Sequence, residues 1–303
     1  MEDKEKIVII DFGSQVTKLI ARRIREYKVL SQIVTLNDFK KIKKFKNIKG
    51  IILSGGPSSV TKRKHLKISS SIFNKGIPIL GICYGLQLIA KEFGGKVKSS
   101  FKKREFGKSL LIKKKNSSLT KNYFKKSKNY VWMSHQDVVV KIPKNFIKIA
   151  STKNSSLTII ENSKKKIYGV QFHPEVTHTV NGGVIVKNFI FNICLMKKNW
   201  KVEIEKQKMI KQIKEVTKNK KVICALSGGV DSSVVALLIN KAIKKKLICV
   251  MVDTGLMRKN EFTETYRIFK KKYKLNVKLI NAENIFLRKL KNISDPEKKR
   301  KII

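Results

Sequence analysis

Short apolar runs that end in glycine-containing turns alternate with amphipathic stretches along most of this sequence. The run at residues 7–10 precedes a helical pattern at 15–27, and the run at 77–82 precedes one at 86–93. Such runs are typical of strands buried on both faces, and their alternation with helices is typical of an α/β protein with a mainly parallel sheet. From residue 97 to 170 the pattern is mainly that of strands. We therefore predict the α/β class.

A long polar stretch with helical periodicity, at residues 200–218, divides the chain. The strand–turn–helix pattern starts again after it, at residues 222–226. A length of 303 residues allows two domains that each bury a core. We place the boundary near residue 199, which gives domains at 1–199 and 200–303. The second has fewer apolar runs than a complete α/β sheet needs, so we expect it to be incomplete.

The formal net charge of +48 results from 69 lysines and arginines against 21 acidic residues. Because lysine and arginine neutralise phosphates, nucleic-acid binding is one interpretation. The lysines are spread along the whole chain instead of forming one patch, and Lys, Asn and Ile are the residues that an AT-rich genome favours. We therefore favour compositional drift on solvated surfaces and expect no nucleic-acid partner.

The N-terminus and the cysteines indicate a cellular compartment. The sequence starts with the charged residues MEDKEK and continues directly into a strand-like run, so we predict no signal peptide. Its apolar runs are far shorter than the roughly 20 residues that a membrane-spanning helix needs. The four cysteines show no CxxC spacing, so we predict neither a disulfide framework nor a zinc site. These features predict a cytoplasmic protein without a membrane partner.

Cys83 stands between two glycines, in the segment GICYG, where an apolar run meets a helical pattern. This is the G-x-nucleophile-x-G spacing of a nucleophile elbow, in which glycines allow a sharp turn that exposes the nucleophile. A position at a helix N-terminus also favours the thiolate. An isolated cysteine is most often a buried structural residue, and we interpret Cys194, Cys224 and Cys249 in that way. For Cys83 we predict a nucleophile.

A nucleophilic thiol needs a base, and the segment VQFHPE contains a suitable histidine, His173. A proline holds the preceding residue in extended geometry, and side chains two residues apart in an extended chain leave from one face. Glu175 can therefore orient the imidazole of His173, which is the task of the third member of a catalytic triad. Alone, His-Pro-Glu is equally compatible with a surface loop. Together with Cys83 it favours a Cys-His-Glu triad.

Two backbone N–H groups are candidates for stabilising an oxyanion near the sulfur. The N–H of Tyr84 follows the nucleophile directly, as elbow geometry requires. Gly56, in the segment SGGP, is the second candidate because a glycine lets the backbone come close. Such a donor increases a rate by roughly 10²–10³-fold. A simple strand-ending turn is the alternative interpretation for Gly56.

A Ser/Gly-rich segment, SGGVDSS, separates an apolar run from a helical pattern. Such a turn directs several N–H groups and the positive end of a helix dipole at an anion. It is not a Walker A loop because no lysine follows the glycines, so the serine hydroxyls would act as donors instead. Asp231 would repel a phosphate without an intervening cation, so we predict that it binds Mg²⁺, with a helix N-cap as the alternative. The predicted phosphate site consists of Ser227, Gly228, Gly229, Val230, Asp231, Ser232 and Ser233.

A further apolar run at residues 247–252 ends at Asp253. An acidic side chain at this end of a parallel strand can contact a ribose or an adenine edge. A simple turn is the alternative.

Taken together, these motifs resemble the glutamine-hydrolysing GMP synthase family over essentially the whole chain. The segments that carry the resemblance are IDFGSQ at 10–15, SGGP at 54–57, GICYGLQ at 81–87, REFG at 104–107, MSHQD at 133–137, HPEVTHT at 173–179 and LSGGVDSS at 226–233. A Cys-His-Glu site alone is similar to that of any class I glutamine amidotransferase. Its combination with SGGVDSS and HPEVTHT resembles GMP synthases specifically.

The resemblance implies a class I glutamine amidotransferase domain with a flavodoxin-like fold. A Rossmann-like ATP pyrophosphatase domain would follow, of which this chain has the N-terminal part without the regions that bind XMP and form the family's homodimer. Cys83 would attack the glutamine amide, His173 would move protons and Glu175 would orient His173. The residues implied to hold glutamine are Gln87, Ser134, His135, Gln136 and Asp137, and those implied to meet the adenosine are Val252 and Asp253.

The implied reaction uses ammonia from glutamine for the ATP- and Mg²⁺-dependent amination of XMP to GMP, a carbon–nitrogen ligase step of purine biosynthesis. Two alternatives stay open. One is a glutaminase-only protein that needs a partner for the synthetase step. The other is a basic nucleic-acid-binding protein on a retired amidotransferase fold.

Overall fold

A computed structural model describes residues 4–42, 44–63, 66–99, 104–218 and 220–303. The chain divides into two compact units between Trp200 and Lys201. This division lies next to the boundary that we predicted near residue 199. Each unit has its own hydrophobic core.

The first unit is built around a mixed sheet. Within the described ranges, nine strands form it in the order β2-β1-β3-β4-β11-β10-β9-β6-β7, and β5 pairs with β8. Pairing is parallel from β2 to β11 and antiparallel from β11 to β7. The strands are β1 (Lys6–Asp11), β2 (Ser31–Thr35), β3 (Ile48–Leu53), β4 (Ile79–Ile82), β5 (Lys96–Ser99), β6 (Glu105–Lys113), β7 (Lys128–His135), β8 (Asp137–Lys141), β9 (Ile147–Ser151), β10 (Ile159–Asn162) and β11 (Ile167–Val170).

The parallel half of the sheet is buried on both faces, as its apolar runs predict. On β1, Ile7 and Ile9 belong to one core cluster, whereas Val8 and Ile10 belong to another. The helices of this unit are α1 (Thr17–Glu26), α2 (Leu36–Lys40), α3 (Tyr84–Glu92) and α4 (Gly182–Asn188), and α4 continues in a π-helical turn, Phe189–Ile193. The predicted α/β class is confirmed.

The second unit contains a parallel sheet in the order β12-β13-β14, formed by β12 (Val222–Ala225), β13 (Leu247–Asp253) and β14 (Val277–Asn281). Its helices are α5 (Val202–Thr217), α6 (Val230–Ile243), α7 (Glu261–Arg267), α8 (Glu283–Leu290) and α9 (Pro296–Ile302). No helix in the described part of the chain combines the length and the apolar character needed to cross a membrane.

Helix α6 begins at Val230, inside the Ser/Gly-rich segment, and not after that segment as the sequence pattern predicts. The hydroxyls of Ser232 and Ser233 donate to the carbonyl oxygen of Gly229, at 3.1 and 2.7 Å. These bonds are made from within the first helical turn. The serines that suggest a loop by composition are therefore helical.

Candidate active site

Cys83 lies in the turn between β4 and α3, at the carboxyl end of a parallel strand. Its backbone has φ 51° and ψ −103°, a conformation that residues with a side chain seldom adopt. The Cys83 N–H donates to the carbonyl of Val170 on β11 at 2.8 Å, which ties the turn to the neighbouring strand. Since α3 begins at Tyr84, the sulfur stands at a helix N-terminus.

The two glycines of the elbow allow the turn through close packing and not through a positive φ of their own. The positive φ falls on Cys83 itself and not on Gly81 or Gly85. A Cβ on Gly81 would lie 2.5 Å from the carbonyl carbon of Gly85, and one on Gly85 would lie 2.3 Å from the carbonyl oxygen of Leu53. The absence of a Cβ at both positions therefore allows the sharp turn, as the G-x-nucleophile-x-G spacing predicts. It also allows α3 to pack directly against β3 and β4.

His173 follows β11, the strand that pairs with β4, so the sheet brings it to the elbow. Its Nδ1 lies 2.8 Å from Oε1 of Glu175, whose side chain is 0% exposed. The imidazole and Cys83 both lie beside Gly55, where an added Cβ would be 3.1 Å from Cε1 of His173 and 3.8 Å from Cβ of Cys83. The structure thus brings together the three residues of the predicted triad.

The environment of His173 favours its charged form. Burial lowers the pKa of the imidazole, but hydrogen bonds with Cys83 and Glu175 and the negative charge of both partners outweigh it and raise the pKa to about 10. The site therefore favours a protonated imidazole beside the sulfur, and a cationic neighbour of this kind activates a nucleophilic thiol.

Two residues with no role in our sequence analysis hold the His173 segment in place. The hydroxyl of Thr179 donates to the carbonyl of His173 at 2.6 Å and accepts the N–H of Trp132 at 3.0 Å. On α1, Nε of Arg23 donates to the backbone carbonyl of Glu175 at 2.9 Å. Thr179 was visible only as part of the HPEVTHT segment, and no sequence signal marked Arg23.

The two predicted oxyanion donors occupy different surroundings. Tyr84 is the first residue of α3, and its side chain points away from the sulfur, since the hydroxyl donates to the carbonyl of Leu66 at 3.1 Å. Only its N–H is left to face the nucleophile. Gly56 lines the same cleft as Cys83, and a Cβ there would lie 2.6 Å from the carbonyl oxygen of Phe12. Close packing thus requires a glycine at this position.

A cleft of about 550 Å³ opens above Cys83. Gln87 is buried below it and donates from Nε2 to the carbonyl of Asp137 at 2.9 Å, while the Asp137 carboxylate accepts the hydroxyl of Ser59. The Cys83 thiol is 3.7 Å from the carbonyl of Ser134. The polar residues that line the cleft include Ser14, Ser59, Gln87, Ser134, Gln136, Asp137 and His173.

His135 differs from the other predicted glutamine-holding residues, because its imidazole is directed at a buried carboxylate. Its Nε2 lies 3.3 Å from Oε2 of Glu105, the residue opposite it in the β6–β7 pairing. That same oxygen of Glu105 accepts the Thr152 hydroxyl at 3.0 Å. The His135 side chain therefore supports the segment that lines the cleft.

In the second unit, the Ser/Gly-rich segment forms the turn before α6. Gly228 has φ +84°, and the Gly229 N–H donates to the hydroxyl of Ser227 at 3.3 Å. The hydroxyls of Ser227 and Ser232 are 3.0 Å apart. The N-terminus of a helix of 14 residues thus opens from an exposed, hydroxyl-lined turn. This geometry suits an anion.

Asp231 lies exposed in the first turn of α6, whose N-cap is Gly229. The alternative of an Asp231 N-cap is therefore wrong. Mg²⁺ is usually held by one or two carboxylates together with substrate phosphates. In the described residues no group of three or more His, Cys, Asp or Glu could hold a metal without such help. Asp231 fits a metal that arrives with a phosphate.

At the end of β13, Oδ1 of Asp253 accepts the N–H of Gly255 at 2.9 Å, and Gly255 has φ +74°. This is the tight turn that we gave as the alternative interpretation. Val252, beside it, is 41% exposed. A role for either residue at an adenosine stays a prediction.

Comparison with known protein families assigns a family to each part of the chain. The family Glutamine amidotransferase class-I matches residues 8–193, and the family NAD synthase matches residues 202–301. This chain belongs to the class I glutamine amidotransferases. The first match contains the elbow, the triad and the cleft, and the second contains the turn before α6.

Curated relatives of this amidotransferase are named GMP synthase [glutamine-hydrolyzing]. One from Clostridium botulinum strain Hall is 48% identical over 301 residues, which is 99% of this chain. One from Clostridium kluyveri is 48% identical over 302 residues, also 99% of this chain. The chain spans 58% of the length of each.

A solved structure gives the same fold. It is of a Thermoplasma acidophilum protein that is assigned as one of the subunits of a GMP synthase, with a TM-score of 0.55 and 29% identity. The match covers 68% of this amidotransferase and 98% of that protein.

Replacing Glu175 with glutamine tests the electrostatics of the triad. The amide keeps the shape but removes the charge, so the pKa of His173 should fall from about 10 toward its ordinary value of 6.5. In the wild type, His173 stabilises the fold fully below the pKa it has when unfolded, and this contribution is lost as pH rises toward 10. Thermal unfolding between pH 6.5 and 10 should therefore depend less on pH in the variant. Glu92→Gln, at an exposed helix end, is the matched control, and equal slopes for both variants would contradict the assignment.

Proposed function

We propose that the first unit hydrolyses glutamine to glutamate and ammonia, as one half of a glutamine-hydrolysing GMP synthase. The observation that carries the proposal is a cysteine held at φ 51° at a helix N-terminus, beside a His173–Glu175 pair with a 2.8 Å hydrogen bond. A cleft of about 550 Å³ gives a small amide access to the sulfur.

The chemistry follows from the charges in the site. The thiolate of Cys83 attacks the carboxamide carbon, and the imidazolium of His173 gives its proton to the departing ammonia. The neutral imidazole then takes a proton from water, which attacks the thioester and releases glutamate. Glu175 keeps the ring in the tautomer that directs Nε2 at the reacting atoms.

The oxyanion of each tetrahedral intermediate would be stabilised by backbone N–H groups at Tyr84 and Gly56. Each such donor contributes roughly 10²–10³-fold to a rate. The polar side chains around the cleft would hold the amino and carboxylate groups of glutamine. We assign this role to Gln87, Ser134, Gln136 and Asp137, with His135 acting through its own segment.

We further propose that the second unit binds ATP through the turn before α6. Its N–H groups and the hydroxyls of Ser227, Ser232 and Ser233 would hold the pyrophosphate, and Val252 and Asp253 would meet the adenosine. Asp231 would hold Mg²⁺, which neutralises phosphate charge when bound. In the whole enzyme, adenylation of the XMP C2 oxygen would let ammonia displace AMP.

A glutaminase subunit that serves a separate synthetase is the second candidate. It is favoured by the likeness of this chain to the Thermoplasma acidophilum protein, which is itself assigned as one of the subunits of a GMP synthase. The two candidates share the chemistry at Cys83. They differ in whether this chain adenylates XMP.

One preparation of the protein tests both candidates. Glutamate release from glutamine is measured with a glutamate dehydrogenase coupled assay, and ATP–pyrophosphate exchange is measured with and without XMP. We expect glutamate release, together with a thioester at Cys83 that acid quenching and peptide mass spectrometry detect. Exchange that requires XMP favours the synthetase, and release without exchange favours the glutaminase subunit. No release with intact, folded protein overturns the proposal.

A further inference from the structure

Gln171 contacts the sulfur of Cys83, although it belongs to neither the triad nor the cleft lining. It follows β11 and lies just before Phe172 and His173. Its side chain is 0% exposed, and its Nε2 lies 3.7 Å from Sγ of Cys83, within hydrogen-bond reach of a sulfur acceptor. Its Oε1 is also buried and has no hydrogen-bond partner among the described residues.

Burying an amide whose oxygen has no hydrogen-bond partner costs folding free energy, so fold stability alone does not explain a glutamine here. A fully buried polar group that lacks a partner loses the hydrogen bonds that water gives it in the unfolded chain. The residues on either side of it in the sequence, Val170 and Phe172, are apolar and 0% exposed, so Gln171 lies in a buried segment. Among the described residues, the contact with Cys83 is the hydrogen bond that the Gln171 side chain makes.

The amide group of Gln171 fixes the direction of this hydrogen bond. The Cys83 thiol faces the carbonyl of Ser134 at 3.7 Å, and a carbonyl can only accept. The amide nitrogen of Gln171 can only donate, so the sulfur accepts from it whether the thiol proton is directed at Ser134 or at His173. When the proton is lost, the bond from Gln171 becomes charge-assisted and stronger.

We propose that Gln171 is a catalytic residue whose side-chain amide donates a hydrogen bond to the Cys83 thiolate. For the reaction itself, this inference rests on the proposed glutamine hydrolysis. His173 is charged only until it gives its proton to ammonia, whereas the amide of Gln171 does not titrate. Gln171 therefore remains a donor while the thioester is hydrolysed. In that step water forms the new C–O bond, its proton goes to His173, and the C–S bond breaks with its electron pair on the sulfur.

Several titratable groups near Cys83 also affect how its alkylation depends on pH, and the test must leave them unchanged. From the β11 side His173 faces the sulfur with Glu175 behind it, and from β7 and β8 the nearest groups are His135, paired with Glu105, and Asp137. The Asp11 carboxylate at the end of β1 accepts hydrogen bonds from the Gly13 N–H and the Thr17 hydroxyl. The Tyr84 hydroxyl donates to the carbonyl of Leu66. Gln171 is a neutral donor to the sulfur, so its replacement changes no charge.

Gln171→Met tests the proposal, because methionine keeps the length of the side chain and removes the donor. We measure the rate at which iodoacetamide alkylates Cys83 from pH 5 to 10, with peptide mass spectrometry to identify the labelled cysteine. Loss of a hydrogen bond to the thiolate predicts that the midpoint of the alkylation profile moves to higher pH by about one unit, so that alkylation slows by about 10-fold at pH values below the wild-type midpoint. Gln32→Met, at an exposed position on β2, is the control.

Gln171→Leu also removes the donor without adding a charge, so it should slow alkylation as much as Gln171→Met. It also covers the case in which the methionine variant does not fold. A wild-type alkylation profile in either folded variant overturns the proposal. Alkylation needs no glutamine, so the two proposals can fail separately. A shifted alkylation profile in the Gln171 variants, with no glutamate release by the wild type, would support the hydrogen bond from Gln171 and reject the proposed glutamine hydrolysis.

Discussion

Replacing Cys83 with alanine should reduce glutamine hydrolysis by at least about 10⁴-fold, which would leave only background. In the proposed mechanism the sulfur forms the thioester, and Cys83 is the only thiol among the described residues that line the cleft. Cys83→Ser should be almost as inactive, because a hydroxyl does not form a stable anion beside an imidazolium at neutral pH. The measurement is glutamate release under saturating glutamine.

Replacing Cys83 with glycine should remove activity but stabilise the fold relative to the alanine variant. Cys83 has φ 51° and ψ −103°, which costs a residue with a Cβ about 1–3 kcal/mol and costs glycine much less. We therefore expect Cys83→Gly to be inactive but more resistant to urea than Cys83→Ala. Equal midpoints for the two variants would show that the elbow is not strained. A more stable glycine variant would show that the elbow is strained and that this strain is retained for function.

The sequence predicted the three residues that the structure brings together because each lies in a short contiguous segment. GICYG and HPE can be interpreted from local spacing alone, and strand pairing then completes the site. That pairing is not local, since β4 and β11 are neighbours in the sheet but are separated along the chain by six other strands. Their register, Ile82 opposite Val170, places the residues after both strands at one edge of the sheet.

Residues that act across the sheet were not predictable in the same way. Thr179 bonds to Trp132 and Gln171 contacts Cys83, in each case through a pairing of distant segments. A buried glutamine in an apolar segment is a signal only once its burial is known. The elbow glycines show a different limit. Their spacing was correctly recognised, but whether a glycine provides a positive φ or a close approach depends on the atoms that surround it.

Adding a methyl group at Gly85 should have a large effect on the fold of the first unit. In Gly85→Ala the new Cβ would lie 2.3 Å from the carbonyl oxygen and 2.7 Å from the Cβ of Leu53 on β3. Both are parts of a buried central strand that cannot move without disturbing its hydrogen bonds to β1 and β4. We expect a loss of about 3 kcal/mol or more in the free energy of unfolding, measured by urea titration.

Gly76→Ala is the control that separates this collision from ordinary backbone strain. Gly76 has φ +69°, and a Cβ there would have nothing within 4 Å, so only the cost of a left-handed alanine applies, about 1–2 kcal/mol. If Gly85→Ala were no more destabilising than Gly76→Ala, α3 would not be packed directly on β3. The position of Cys83 at the first turn of α3 depends on that packing. A partly folded Gly85→Ala protein should therefore also lose selective alkylation of Cys83, and the buried Cys194 of the same unit should become labelled with it.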